Sequence, residues 1–196
     1  MNIDTAINNS PRTARSRTFD TVLRELYSRF GDTPINMVET GTIRQLMDPG
    51  DGWSTAVWKA YAEQCDGHVW SCDISEKHMN VCREVTGNSR HVSYIVEDSE
   101  KFLKEFDKEI HFLYLDSYDT GGDQENVFNA CFHQLKEAGA ALRRLHPNAI
   151  VMMDDIPTDF KNGKGELSIP FFLGNGFKII NYQEPQIILG RINESN

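Results

Sequence analysis

No stretch of the 196-residue chain approaches the roughly 20 consecutive apolar residues that cross a bilayer, so no membrane partner is expected. Positive charge is scarce: 20 Lys and Arg stand against 29 Asp and Glu, a net charge of -9. Extended nucleic-acid binding relies on clustered Lys and Arg, so that class of partner is disfavoured, while a small nucleotide stays open as a substrate. Cysteine is limited to Cys65, Cys72, Cys82 and Cys131, with no C-x-x-C pair. They read as reduced thiols of an intracellular, cytoplasmic protein. The segment Met1 to Arg17 lacks both the apolar core of a secretory signal and any apolar periodicity. It is expected to be a flexible lead that the fold does not need, ahead of one domain over 18–196. Repeats and low-complexity tracts are also missing.

What is present alternates between two periodicities. Phe19, Val22, Leu23, Leu26, Tyr27 and Phe30 repeat at helical spacing, and Gly31 stops the helix. Short apolar strands follow at Ile35–Val38, Val69–Cys72, Val92–Val96, Ile110–Leu115 and Ala149–Met153, each leading into a helix. The helix after the fourth strand is expected to bury Phe128, Cys131, Leu135, Ala138, Leu142 and Leu145. A helix near Leu167–Leu173 precedes two strands, Phe177–Tyr182 and Gln186–Arg191. Their short link, Glu184-Pro185, requires an antiparallel pair.

The span Ile110 to Asp155 carries the most chemistry. Its first strand ends at Asp116 and its second at Asp154-Asp155. Strand ends of a parallel sheet lie side by side on the edge where ligands bind, so these acids should meet. Three carboxylates in one crevice repel unless a positive charge lies between them, and no Arg or Lys adjoins them in sequence. A hard divalent cation such as Mg2+, with oxygen ligands, is the expected occupant. The competing account is that these acids cap helices, where Asp is favoured.

Five strand-then-helix units closed by an antiparallel pair resemble the class I S-adenosylmethionine-dependent methyltransferases. The resemblance implies an α/β, Rossmann-like, seven-stranded sheet with five parallel strands, a C-terminal antiparallel hairpin and helices on both faces. Val38-Glu39-Thr40-Gly41-Thr42 looks like the family's first motif, in which an acid and then a glycine end the first strand. Gly41 lets the backbone pass close to the cofactor. Glu39 faces the methionine part directly or fixes the loop. Gly52-Trp53-Ser54-Thr55 resembles a second piece of that loop, with Ser54 at a helix N-terminus able to hold a carboxylate. Asp73 is placed to bind the ribose hydroxyls, and Glu97-Asp98-Ser99 resembles the adenine-contacting turn. With Thr42 and Asp116, these residues form the expected cofactor site. No G-x-G-x-x-G follows the first strand, since Gly41, Gly50 and Gly52 do not fit it, so S-adenosylmethionine ranks above NAD.

Within that superfamily the acids resemble those of metal-dependent small-molecule O-methyltransferases of the macrocin and catechol types. The resemblance makes Asp116, Asp154 and Asp155 metal ligands, and Leu115-Asp116-Ser117-Tyr118-Asp119 the turn that carries a second acid. Asp119 is then a candidate general base, with Asp116 beside it on the metal. The implied activity is O-methylation of a small hydroxylated molecule. Two other classes stay open: a non-catalytic cofactor-binding module, and a metal-dependent oxygenase on the same fold. A second copy of the chain also stays open as a partner.

Overall fold

The structure, a computed structural model, describes residues 2–46, 52–121 and 123–191. Most of the glycine-bearing loop at 48–52 therefore lies outside the described residues. Seven strands form one sheet in the order β3-β2-β1-β4-β5-β7-β6. They are β1 (Asn36–Thr40), β2 (His68–Asp73), β3 (Val92–Val96), β4 (Ile110–Leu115), β5 (Leu145–Met153), β6 (Phe177–Gln183) and β7 (Gln186–Arg191). The pairs β1–β2, β2–β3 and β4–β5 are parallel, whereas β7 is antiparallel to both β5 and β6. The five parallel strands and closing hairpin expected from the sequence are the ones observed. Among the described residues no helix is long and apolar enough to cross a membrane.

The chain divides into two compact units, Met1–Asp98 and Ser99–Asn196. In the first, α2 (Ser16–Phe30) buries Phe19, Val22, Leu23 and Leu26, as its 3.6-residue period requires. Phe19 meets Trp58 of α3 (Ser54–Cys65) edge to face, with ring centroids 5.0 Å apart. Ser75 caps α4 (Glu76–Thr86) by accepting the His78 N–H.

The lead segment differs from expectation. It forms α1 (Ile3–Asn9), capped by Asn2, and buries Ala6 and Ile7. Two ion pairs fasten it: Arg12 to Asp20 at 2.9 Å and Arg24 to Asp4 at 3.1 Å. Only two apolar side chains anchor this helix, too few to show as a period in the sequence.

In the second unit, β4 and β5 bury Phe112 to Leu115 and Ile150 to Met153 as continuous apolar runs, the pattern of a strand covered on both faces. Beside them lie α5 (Ser99–Glu105), α6 (Gln124–Ala141) and α7 (Gly165–Gly174). The buried face of α6 is rotated from the expected one: it comprises Ala130, Cys131, Gln134, Glu137, Ala138 and Ala141, while Phe128 is 62% exposed. Two polar residues can occupy that face because each finds a partner. Ser168 donates to Gln134 Oε1 at 2.6 Å, and Ser117 donates to Glu137 Oε1 at 2.6 Å. Leu145 also departs from expectation. It opens β5 instead of ending the helix, because a 3-10 turn at Leu142–Arg144 intervenes. Pro147 is tolerated in the strand where the β4–β5 register shifts.

Candidate active site

The strand ends of the first unit carry the motif residues. Glu39, near the end of β1, is fully buried and acts as an acceptor hub. It takes hydrogen bonds from the hydroxyls of Ser54 and Thr55, from Ser71 Oγ at 2.7 Å and from Trp58 Nε1 at 3.1 Å. Burial raises its pKa, and the four donors oppose that shift. Its donors tie β1 to β2 and to the first turns of α3. The Ser54 hydroxyl is directed at Glu39, which leaves the backbone of the α3 N-terminus to meet an anion. Thr42 Oγ1 lies 2.9 Å from Ser71 Oγ and 3.3 Å from Thr55 Oγ1, inside the same network.

Gly41 has φ 81°, a backbone state that strains any residue with a Cβ, and its N–H donates to Cys72 O at 2.9 Å. The glycine of the motif is therefore required by the turn itself. Gly52 also has positive φ, and a Cβ there would sit 3.2 Å from Arg15 Cδ. At the end of β2, Asp73 Oδ1 accepts the Ser75 N–H at 2.7 Å and stands 3.5 Å from His78 Nδ1. These contacts fix the carboxylate's orientation. Asp98 is exposed after β3.

The second unit holds Ser99, which is buried and 3.0 Å from His133 Nε2. It also holds the acids. Asp154 is fully buried and satisfied by three donors: Tyr114 Oη at 2.6 Å, Gln186 Nε2 at 2.9 Å and the Asp155 N–H at 2.8 Å. Tyr114 Oη is also 3.5 Å from Asp116 Oδ2. Asp116 and Asp155 each retain 31% of their side-chain exposure and share one cation. That cation is the ammonium of Lys164, 3.0 Å from Asp116 Oδ1 and 2.9 Å from Asp155 Oδ2. Lys164 is 1% exposed, a buried lysine.

Burial lowers the Lys164 pKa, but the two acids outweigh burial and the pKa is raised overall, which keeps the ammonium charged. Burial raises Asp116; Lys164 opposes the shift, while Asp154 and Asp155 add to it. Asp119 is exposed in the loop after β4, where its backbone carbonyl accepts from Asn126 Nδ2 at 3.0 Å.

The structure thus gathers Asp116, Asp154 and Asp155 at the ends of β4 and β5, as the sequence implies. A Mg2+ ion bound by all three does not fit these partners. Both Asp154 oxygens accept protein donors, and an ammonium already bridges the other two acids. Among the described residues, one cluster has its candidate ligand atoms within 4.8 Å of one another: Glu109, His111 and His146. It lies at the opposite ends of the same strands. There the Asn148 N–H donates to His146 Nδ1 at 2.9 Å.

Sequence reasoning missed Lys164, Tyr114 and Gln186 as members of the acid cluster. The available signal was Gly163-Lys164-Gly165, a lysine between two glycines in an otherwise ordinary loop.

Comparison with known proteins bears on the family and the fold. The family model described as "Methyltransferase domain" matches residues 49–156. The chain belongs to that family, within the class I S-adenosylmethionine-dependent methyltransferases. Among curated proteins none matches. Solved structures share the fold at low identity. A Streptococcus mutans protein described as a methyltransferase and crystallised with SAH is 12% identical, with a TM-score of 0.61 over 88% of this chain and 97% of its own. The N-methyltransferase NodS from Bradyrhizobium japonicum is 11% identical, with a TM-score of 0.59 over 90% and 96%. MycE, a methyltransferase of the mycinamycin pathway crystallised with Mg, SAH and mycinamycin VI, is 14% identical, with a TM-score of 0.61 over 92% of this chain and 50% of its own.

Proposed function

We propose that this methyltransferase moves the sulfonium methyl of S-adenosylmethionine onto a hydroxyl oxygen of a small molecule. The oxygen lone pair attacks the methyl carbon, the C–S bond breaks, S-adenosylhomocysteine leaves, and the hydroxyl proton passes to a base. The donor is already activated, so the protein has to position the oxygen and accept its proton. Gly41 and the α3 N-terminus would take the amino-acid part of the cofactor, Asp73 the ribose hydroxyls, and Asp98 with Ser99 the adenine. Thr42, Glu39 and Ser54 hold that loop in shape.

The observation that carries the reading is Asp116: a carboxylate one-third open at the end of β4, fixed by Lys164, with its pKa raised by burial. A base of raised pKa matches the task of taking a proton near neutral pH. Asp119, exposed in the adjacent loop, is the second candidate. The net charge of -9 supports a small acceptor over an extended nucleic acid. MycE was crystallised with Mg, whereas in this chain the Lys164 ammonium lies between Asp116 and Asp155.

The test is methyl transfer from isotope-labelled S-adenosylmethionine to a panel of sugars, phenols and amines. Labelled product from hydroxylated acceptors, lost in Asp116→Ala, supports the reading. Product from amines alone would replace O- with N-methylation.

A further inference from the structure

The strongest unexplained feature of the molecule is a lysine buried among acids. Lys164 precedes α7 and its side chain is 1% exposed, yet it bears a charge. Burying a lysine is unfavourable unless its charge is paired, and here two carboxylates pair it at 2.9 and 3.0 Å.

The backbone around it is shaped for this delivery. A Cβ on Gly163 would sit 2.7 Å from the Asp155 carbonyl oxygen and nearer still to Pro157 Cδ. A Cβ on Gly165 would sit 2.7 Å from Ile169 Cδ1, with Ile156 Cδ1 nearer. Gly163 admits no side chain without moving backbone or the Pro157 ring, so that glycine lets the loop press against 155–157, whereas at Gly165 the contacts are with the ends of isoleucine side chains. The Lys164 N–H donates to Asp155 O at 3.3 Å, and Cys131 Sγ donates to Gly163 O at 2.8 Å. Asp155, Phe160 and Asn162 all adopt positive φ along the same loop. Such backbone states persist only where their surroundings over-determine them.

We infer that Lys164 is a built-in cation in the place a divalent metal would take between Asp116 and Asp155, so the acid cluster of this chain works without a metal ion. The inference deepens the methyltransferase reading, on which it rests for the role of Asp116. A metal on the same two oxygens would bind at about 2.1 Å from each. Its centre would then lie within about 5 Å of the ammonium, and two like charges would meet in a buried site. Asp154 cannot compensate, because its oxygens already accept from Tyr114, Gln186 and the Asp155 N–H. Removing the ammonium would leave two adjacent carboxylates with nothing between them, which is the arrangement that recruits a divalent ion.

Mn2+ titration of the folded full chain, followed by the electron paramagnetic resonance of free Mn2+, tests this without knowledge of the acceptor. The wild type should bind no Mn2+ stoichiometrically. Lys164→Ala should gain one site per chain, and Asp116→Asn added to that variant should remove it. One Mn2+ per wild-type chain, lost in Asp116→Asn, would overturn the inference, as would a folded Lys164→Ala that gains no site. If Lys164→Ala does not fold, the wild-type titration still decides. Calorimetry of S-adenosylhomocysteine on the same preparation keeps the two claims apart. A wild type that binds neither Mn2+ nor S-adenosylhomocysteine would sink the methyltransferase reading while leaving the acid pair free of metal.

Discussion

Gln186, the first residue of β7, donates its Nε2 proton to Asp154 Oδ2 at 2.9 Å, tying the closing hairpin to the acid that ends β5. Tyr114 reaches the same oxygen from β4 at 2.6 Å. The hairpin therefore does more than complete the sheet: it satisfies a buried carboxylate that would otherwise repel its neighbours.

Tyr114→Phe should show what that contact contributes. The ring still packs, but a buried charge loses one donor, at a cost of about 1.5–3 kcal/mol. Chemical denaturation should show the midpoint falling with the slope unchanged. An unaltered midpoint would mean that Gln186 alone satisfies that oxygen.

Glu39 offers a second check through pH. Its folded pKa is raised above the ordinary 4.5, so between 4.5 and the raised value the folded state keeps a proton that the unfolded chain has released. Glu39's contribution to stability is thus greatest below 4.5 and declines as pH rises through that window. The melting temperature of wild type should fall more steeply across it than that of Glu39→Gln. Parallel slopes would show that Glu39 is ionised in the folded state. Glu39→Ala should cost more than about 3 kcal/mol, because four buried donors lose their acceptor together.

The lead segment gives a third. With Ala6 and Ile7 buried and Arg12 paired to Asp20, deletion of residues 1–12 should lower stability by about 1–3 kcal/mol. A melting temperature equal to that of the full chain would restore the flexible lead expected from sequence.

Much of the architecture was legible because its signals are local. Strands β3, β4 and β7 were bounded correctly by the apolar runs at Val92–Val96, Ile110–Leu115 and Gln186–Arg191. The short Glu184-Pro185 link dictated an antiparallel hairpin. Where partners are distant in sequence, the reading failed. The phase of α6 was wrong because Gln134 and Glu137 are buried through Ser168 and Ser117, and a hydrophobic period cannot register a polar residue whose partner is elsewhere. The acid cluster is legible, but Lys164 as its member is not, because it reaches Asp116 from 48 positions away. The acid of the first motif was found, yet its role as a hub depended on Ser71 and Trp58, which no spacing rule connects to it.

Calorimetric titration of S-adenosylhomocysteine into wild type and Asp73→Ala tests the central claim most directly. The account predicts one site per wild-type chain, no heat from NAD, and a loss of about 1.5–3 kcal/mol in Asp73→Ala, roughly ten- to 150-fold in Kd, while that variant remains folded. A folded wild type that takes up no S-adenosylhomocysteine, or binding unchanged in Asp73→Ala, would contradict it.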